Sequence, residues 1–139
     1  MLRSLLTTKL YIPAVRPGFV MRPRLVSRLN AGLHRKLTLV SAPAGFGKTT
    51  LLSSWLHCLV GTASPPQVAW LSLDEGDNDP VRFLAYVIAA LQSVSESLGR
   101  GMSEPLQSAT PAAIEETVAT LINQIDALLA EHSQACQAR

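Results

Sequence analysis

Apolar side chains recur at helical spacing in four stretches of this chain. The second stretch follows a glycine-rich turn. The third and fourth begin at Asp79-Pro80 and Thr110-Pro111, where a capping side chain precedes a proline suited to the first helical turn. The pattern therefore predicts four helices. They span residues 23 to about 32, 48 to about 60, 80 to about 98, and 111 to about 132.

Two short apolar runs lack helical spacing and predict strands. Lys36 to Ser41 is β-prone, and Gln67 to Leu73 is apolar without alternation, as in a strand that helices cover on both faces. Strands that alternate with helices favour β-α-β units. The sequence thus predicts an α/β fold with a parallel β-sheet flanked by helices. Because only two strands are found, we expect an incomplete three-layer sandwich.

Charge divides the chain sharply. Residues 1–50 contain nine Lys and Arg and no acid, whereas residues 51–139 contain three Lys and Arg and ten acids. Prolines and a glycine among the first 22 residues predict a basic N-terminal arm, followed by one domain at 23–139. The basic block has several interpretations: it pairs with the acidic half, surrounds a polyphosphate, or binds nucleic acid or an anionic membrane.

No apolar run reaches the roughly 18 residues of a membrane-spanning helix. The first residues also make a poor signal peptide, because Lys9 interrupts their apolar stretch. We therefore expect a cytoplasmic protein without membrane contact.

One motif points to phosphate chemistry. The run Ala42-Pro43-Ala44-Gly45-Phe46-Gly47-Lys48-Thr49 matches the Walker A pattern G-x-x-x-x-G-K-[ST], with Ala42 at the first glycine position. In such a loop, backbone N–H groups at a helix start face phosphate oxygens. We assign Lys48 to the β and γ phosphates, Thr49 to a bridging Mg²⁺, and Thr50 to the α phosphate. The motif predicts an ATP or ADP site with Mg²⁺; the alternative is a glycine-rich turn with a solvated lysine.

An acidic loop follows the second predicted strand, at residues 74–79. Its alternating acids are similar to a Ca²⁺ loop, but the later bidentate Glu is missing. We interpret it as a solvated turn in which Asp79 caps the next helix. Asp74 would end a sheet strand at the carboxyl edge, so an indirect role near Mg²⁺ is the alternative.

Four ordered blocks within residues 5–95 carry a family resemblance. They are Thr8-Lys9-Leu10-Tyr11-Ile12-Pro13, Arg22-Pro23-Arg24-Leu25, Lys36 to Thr50, and Trp70 to Pro80. Together they resemble MalT-like (LuxR-type) ATP-dependent transcriptional regulators, whose P-loop NTPase domain is of the STAND class and similar to NB-ARC and AAA domains. The resemblance implies that ADP is held at rest and exchanged for ATP when an inducer is sensed, after which the protein oligomerises.

The same resemblance implies further parts of the site. The segment before the P-loop would hold the nucleotide base at Val20, Met21 and Arg22, although the class usually shows Gly-Arg-Glu where this chain has Met21-Arg22-Pro23. A Walker B strand would be expected shortly after the last helix, and residues 99–139 contain none. We therefore expect a chain truncated before Walker B, with weak or no nucleotide binding and negligible hydrolysis.

The expected partners are a nucleotide and the downstream domains or subunits of a parent regulator. The arginines of the basic block lack interleaved aromatics and any helix-turn-helix pattern, so we expect no direct DNA binding from this segment. Two alternatives stay open. One is a fragment of a P-loop kinase or other nucleotide-hydrolysing enzyme, for which the back half offers few arginines. The other is a truncated remnant without function.

Overall fold

A computed structural model describes the backbone of residues 5–137 and the side chains of residues 5–102 and 104–131. Five α-helices and two 3₁₀ turns form the described chain. The helices are α1 (Pro23–Gly32), α2 (Lys48–Val60), α3 (Pro80–Gln92), α4 (Ser103–Gln107) and α5 (Pro111–Gln137), and the 3₁₀ turns are Thr7–Leu10 and Glu75–Asn78.

The predicted parallel sheet is wrong, because no strand forms within residues 5–137. Lys36–Ser41 and Gln67–Leu73 have irregular backbone without ladder hydrogen bonds to a neighbouring strand. Leu37 and Leu39 are each 83% exposed, so the first run is not covered on both faces. Side chains that favour strands fit the surface of a sheet, but a strand forms only where a neighbouring strand is available for backbone pairing. The α/β three-layer sandwich is therefore replaced by a helical structure.

The helix starts are confirmed, with their predicted caps. Asp79 Oδ1 accepts a hydrogen bond from the Arg82 amide at 2.8 Å, and Thr110 Oγ1 accepts one from the Ala113 amide at 3.2 Å. The predicted ends of α1 and α2 are also confirmed, at Gly32 and Val60, whereas the ends of the two later helices differ from prediction. α3 stops at Gln92 because turns follow, α4 lies within the predicted loop, and α5 continues to Gln137.

None of the helices in the described part of the chain has both the length and the apolar character needed to cross a membrane. The cytoplasmic location stays a prediction.

The chain divides into two compact units. The central unit is Ile12–Gln67; the discontinuous unit is Met1–Tyr11 with Val68–Arg139, described over 5–11 and 68–137. The residues predicted as an arm, 1–22, are thus divided between the two units. The organisation into an arm and a P-loop domain stays a prediction.

Helices α3, α4 and α5 build the core of the discontinuous unit. Its buried apolar side chains are Leu84, Ala85, Ile88, Met102, Leu106 and Leu121. Gly99 lets the turn after α3 approach this core: its φ is +72°, and a Cβ there would meet Ile88 at a distance that no real contact shows. Its amide also donates to Gln124 Oε1 at 2.7 Å, which ties the turn to α5.

The central unit has a smaller core between α1 and α2. Leu29 of α1 and Leu56 of α2 are buried, and Trp55 Nε1 donates to Asn30 Oδ1 at 2.7 Å. These contacts fix α1 beside the helix that follows the glycine-rich loop.

A buried lysine joins the two parts of the discontinuous unit. The Nζ of Lys9 lies 2.6 Å from Asp77 Oδ2 and 2.8 Å from Asp74 Oδ2. It also lies 4.8 Å from the ring centroid of Tyr86, the most deeply buried aromatic side chain, in cation–π geometry. The interpretation of residues 74–79 as a solvated turn is wrong at Asp77, which is only 6% exposed.

Backbone and side-chain contacts complete this attachment. The Ser72 amide donates to the Lys9 carbonyl at 2.9 Å, and the Leu6 amide donates to the Tyr86 hydroxyl at 3.1 Å. Arg82 Nε lies 3.3 Å from the other carboxylate oxygen of Asp77, a charge contact without a hydrogen bond. Residues 5–11 are therefore held by both main chain and charge.

The same contacts shift two pKa values. The hydrogen bond from Lys9, helped by the Asp74 amide, holds the pKa of Asp77 below its ordinary 3.8 despite burial. Burial alone would lower the pKa of Lys9, but hydrogen bonds to Asp74 and Asp77 outweigh it and raise that pKa above 10.5. Both groups are thus held in their charged forms.

The stability of the discontinuous unit should fall at both ends of the pH scale. Because the pKa of Asp77 is lowered, its contribution is present above 3.8 and lost as pH falls through the folded value. Because the pKa of Lys9 is raised, its contribution is present below 10.5 and lost as pH rises through the folded value. Melting curves from about pH 3 to about pH 11 should show a plateau with two falling limbs.

Lys9→Met should lower the melting temperature on the plateau and flatten the alkaline limb. Asp77→Asn should flatten the acid limb, whereas Glu104→Gln, which changes an exposed acid of the same unit, should keep the wild-type profile. A Lys9→Met protein as stable as wild type across the range would contradict this assignment.

Candidate phosphate-binding site

The glycine-rich loop before α2 depends on two residues in the left-handed region. Gly45 has a φ of +82° and Gly47 a φ of +78°, and neither has a heavy atom within 4 Å of the position where a Cβ would stand. Conformation therefore calls for glycine here, and a ligand can approach the backbone closely. These are the two positions at which the sequence motif places glycine.

The amino end of α2 presents backbone donors to the loop. Gly47 is the N-cap and no side chain caps this end. The Leu51 amide donates to the Gly47 carbonyl at 2.9 Å, which is the first hydrogen bond of the helix. The amides of Lys48, Thr49 and Thr50 come before it and have no acceptor within the helix. The helix dipole adds positive potential at the same place, which favours an anion.

Lys48 folds back over the loop. Its Nζ donates to the carbonyl oxygens of Ala42 at 2.6 Å and Pro43 at 2.9 Å. Both bonds are exposed to solvent. The ammonium is thus held at the loop by two neutral acceptors rather than by a charged partner.

A cleft of about 460 Å³ opens beside this lysine. It brings together six of the residues predicted for the site, namely Arg22, Ala42, Phe46, Gly47, Lys48 and Thr50. The other four predicted residues, Pro43, Ala44, Gly45 and Thr49, do not line it. Thr49 is exposed, and its assignment to Mg²⁺ stays a prediction. Among the described side chains, no group of three or more His, Cys, Asp and Glu is placed to hold a metal ion.

An apolar wall completes the cleft. Phe19, Val20, Leu25, Val40 and Leu51 line it together with the cationic side chains. The sequence reasoning named Val20 and Arg22 as base contacts and also Met21, which is 52% exposed and does not line the cleft. Phe19 also lines the cleft but was not identified from the sequence. An aromatic residue beside Gly18, one position before the predicted base-contacting segment at 20–22, could have pointed to it. The cleft offers cations to phosphates and an apolar surface to a flat ring.

Known proteins support the family resemblance over part of the chain. Proteins named HTH-type transcriptional regulator MalT match it over 91 residues, or 66% of the chain. The identity is 42% for Cronobacter sakazakii, 44% for Serratia proteamaculans and 41% for Klebsiella pneumoniae. The matched segment spans about 9% of the length of these curated relatives. No protein-family model matches the chain, and no solved structure matches it significantly.

These matches confirm the similarity to MalT-like transcriptional regulators. The STAND-class P-loop assignment within that resemblance stays a prediction.

Removal of the Lys48 side chain should hardly change stability. Its two hydrogen bonds are exposed, and surface substitutions of this kind usually change the free energy of unfolding by no more than about 0.5 kcal/mol. Urea unfolding of Lys48→Ala should therefore overlay that of the wild type. A loss of about 2 kcal/mol or more would show instead that Lys48 is a structural clasp for the loop.

Proposed function

We propose that this chain is the part of a MalT-like transcriptional regulator that binds the phosphates of ATP or ADP. The observation that carries the proposal is the shared cleft of Gly47, Lys48, Thr50 and Arg22 at the uncapped start of α2. The similarity to proteins named transcriptional regulators supports the regulatory context.

Phosphate oxygens would be better partners for Lys48 than its present ones. The Ala42 and Pro43 carbonyls are neutral and belong to the glycine-containing turn. A phosphate would exchange two neutral acceptors for charged ones, and each hydrogen bond would become charge-assisted on both sides. The amides of Lys48, Thr49 and Thr50 would add donors at the positive end of the helix.

The remaining contacts would distinguish a nucleotide from free phosphate. Arg22 would add a second cation to the cleft, and the Thr49 hydroxyl would serve the accompanying Mg²⁺. Phe19 and Val20 would offer an apolar surface to the base. We assign no hydrolytic role to any side chain, so the nucleotide acts as a ligand that shifts a conformational equilibrium.

The absence of acids from the central unit suits the same ligand. The central unit, residues 12–67, contains no Asp or Glu. A polyphosphate therefore meets no carboxylate of that unit, and the lysines and arginines of the unit would balance part of its charge.

Titration calorimetry with Mg·ADP and Mg·ATP tests the proposal. The wild-type chain should bind weakly, and Lys48→Ala should bind about 10–100-fold more weakly, as expected for lost hydrogen bonds to a charged group. Lys36→Ala, which removes an exposed lysine of the same unit outside the cleft, should bind like wild type.

Two results would contradict the proposal. One is a folded chain that takes up neither nucleotide at millimolar concentration. The other is binding that Lys48→Ala leaves unchanged, because the nucleotide would then occupy some other surface.

A further inference from the structure

The central unit carries more positive charge than a nucleotide site uses. It contains seven Lys and Arg residues, and only Arg22 and Lys48 line the cleft. Five cations lie outside the cleft, and all five are exposed: Arg16, Arg24, Arg28, Arg35 and Lys36. These five need a separate explanation.

Four of them gather on α1 and the turn that ends it. Arg24 and Arg28 are one helical turn apart and share a face. Arg35 and Lys36 follow directly, where the Arg35 amide donates to the Gly32 carbonyl at 2.9 Å and turns the chain back. We call Arg24, Arg28, Arg35 and Lys36 the arginine face.

No carboxylate of the central unit neutralises the arginine face. The ion pairs found among the described side chains involve Lys9 and Arg82 as cations, both in the discontinuous unit. The sequence left open that the basic block pairs with the acidic half of the chain. The central unit itself, residues 12–67, contains no Asp or Glu, so no carboxylate of that unit pairs with these four cations.

We propose that the arginine face binds the phosphate backbone of a nucleic acid duplex without reading its sequence. Three of its four cations are arginines, whose planar fork binds phosphate oxygens in pairs. Ser27 is exposed within the same helix and adds a hydroxyl of the kind that contacts phosphates. The proposal goes beyond nucleotide binding, because it uses a surface outside the cleft.

This inference revises the expectation drawn from sequence. The sequence predicts no direct DNA binding, because the basic block has no interleaved aromatics and no helix-turn-helix pattern. Those features serve base stacking and base readout, whereas contacts to the backbone need only cations in a suitable array. The structure places Arg24 and Arg28 one turn apart on α1, and Arg35 and Lys36 in the turn that follows this helix.

The composition of α1 favours nucleic acid over a membrane surface. Its exposed positions hold Pro, Arg, Ser, Asn and Ala, and no large apolar side chain. Leu29 is buried against α2, and Leu25 and Val26 are half-buried. A helix that lies in a membrane interface needs an exposed apolar face to insert, which α1 does not offer.

Fluorescence anisotropy with a short labelled duplex of arbitrary sequence tests the inference on the full chain. The logarithm of the binding constant should fall linearly with the logarithm of salt concentration. For Arg24→Ala/Arg28→Ala the slope should be smaller by about 2, since each phosphate contact contributes about 0.9. Arg100→Ala, an exposed arginine of the other unit, should keep the wild-type slope, and circular dichroism should show all variants folded.

The outcomes separate this inference from the nucleotide site. Lys48→Ala should still bind the duplex even if it no longer binds nucleotide, so either proposal can fail alone. The inference is overturned if the wild type does not bind the duplex at low salt, or if the double variant keeps the wild-type slope. It is also overturned if anionic vesicles containing phosphatidylserine bind the chain and the duplex does not.

Discussion

The ammonium of Lys9 is enclosed by protein, and the discontinuous unit is arranged around that charge. An uncompensated buried ammonium would be strongly unfavourable, so the chain must bring acceptors to it. Asp74 and Asp77 do so from a sequence distance of more than sixty residues, and Tyr86 adds its ring face. The 3₁₀ turn at Glu75–Asn78, with a reciprocal Asp74–Asp77 capping box, sets both carboxylates in place. These contacts fix segment 5–11 to the amino end of α3.

Sequence reasoning found the elements whose causes are local. The starts of α3 and α5 were predictable because an Asp or Thr cap next to proline acts within one turn, and the caps form as expected. The strands failed because Lys36–Ser41 and Gln67–Leu73 carry strand-like side chains but meet no partner backbone in the described chain. The Lys9 cluster could not be predicted for a related reason: nothing near Lys9 in the sequence signals Asp77, and only the folded chain brings them together.

The candidate site likewise has features with local causes, which the sequence predicts, and features that arise only from the fold. The backbone conformation at Gly45 and Gly47 was predictable because the motif specifies it over a few residues, and both glycines have a positive φ. The phosphate contacts of this loop and of Lys48 stay predictions. Arg22 was named through a family resemblance and does line the cleft with Lys48. Phe19 was missed because an apolar wall has no fixed spacing from the loop. The division of charge was visible in the sequence, but its consequence, an acid-free unit with an exposed arginine face, needed the fold.

The loop at residues 42–49 is proposed to receive nucleotide phosphates. A titration of the ¹⁵N-labelled chain with Mg·ADP, monitored through the amide resonances of the chain, tests this proposal. We expect the amide signals of Gly45, Gly47, Lys48 and Thr49 to move together and saturate, while those around Gly99 in the other unit stay in place. Unmoved loop amides at saturating nucleotide, or shifts centred on another surface, would contradict it.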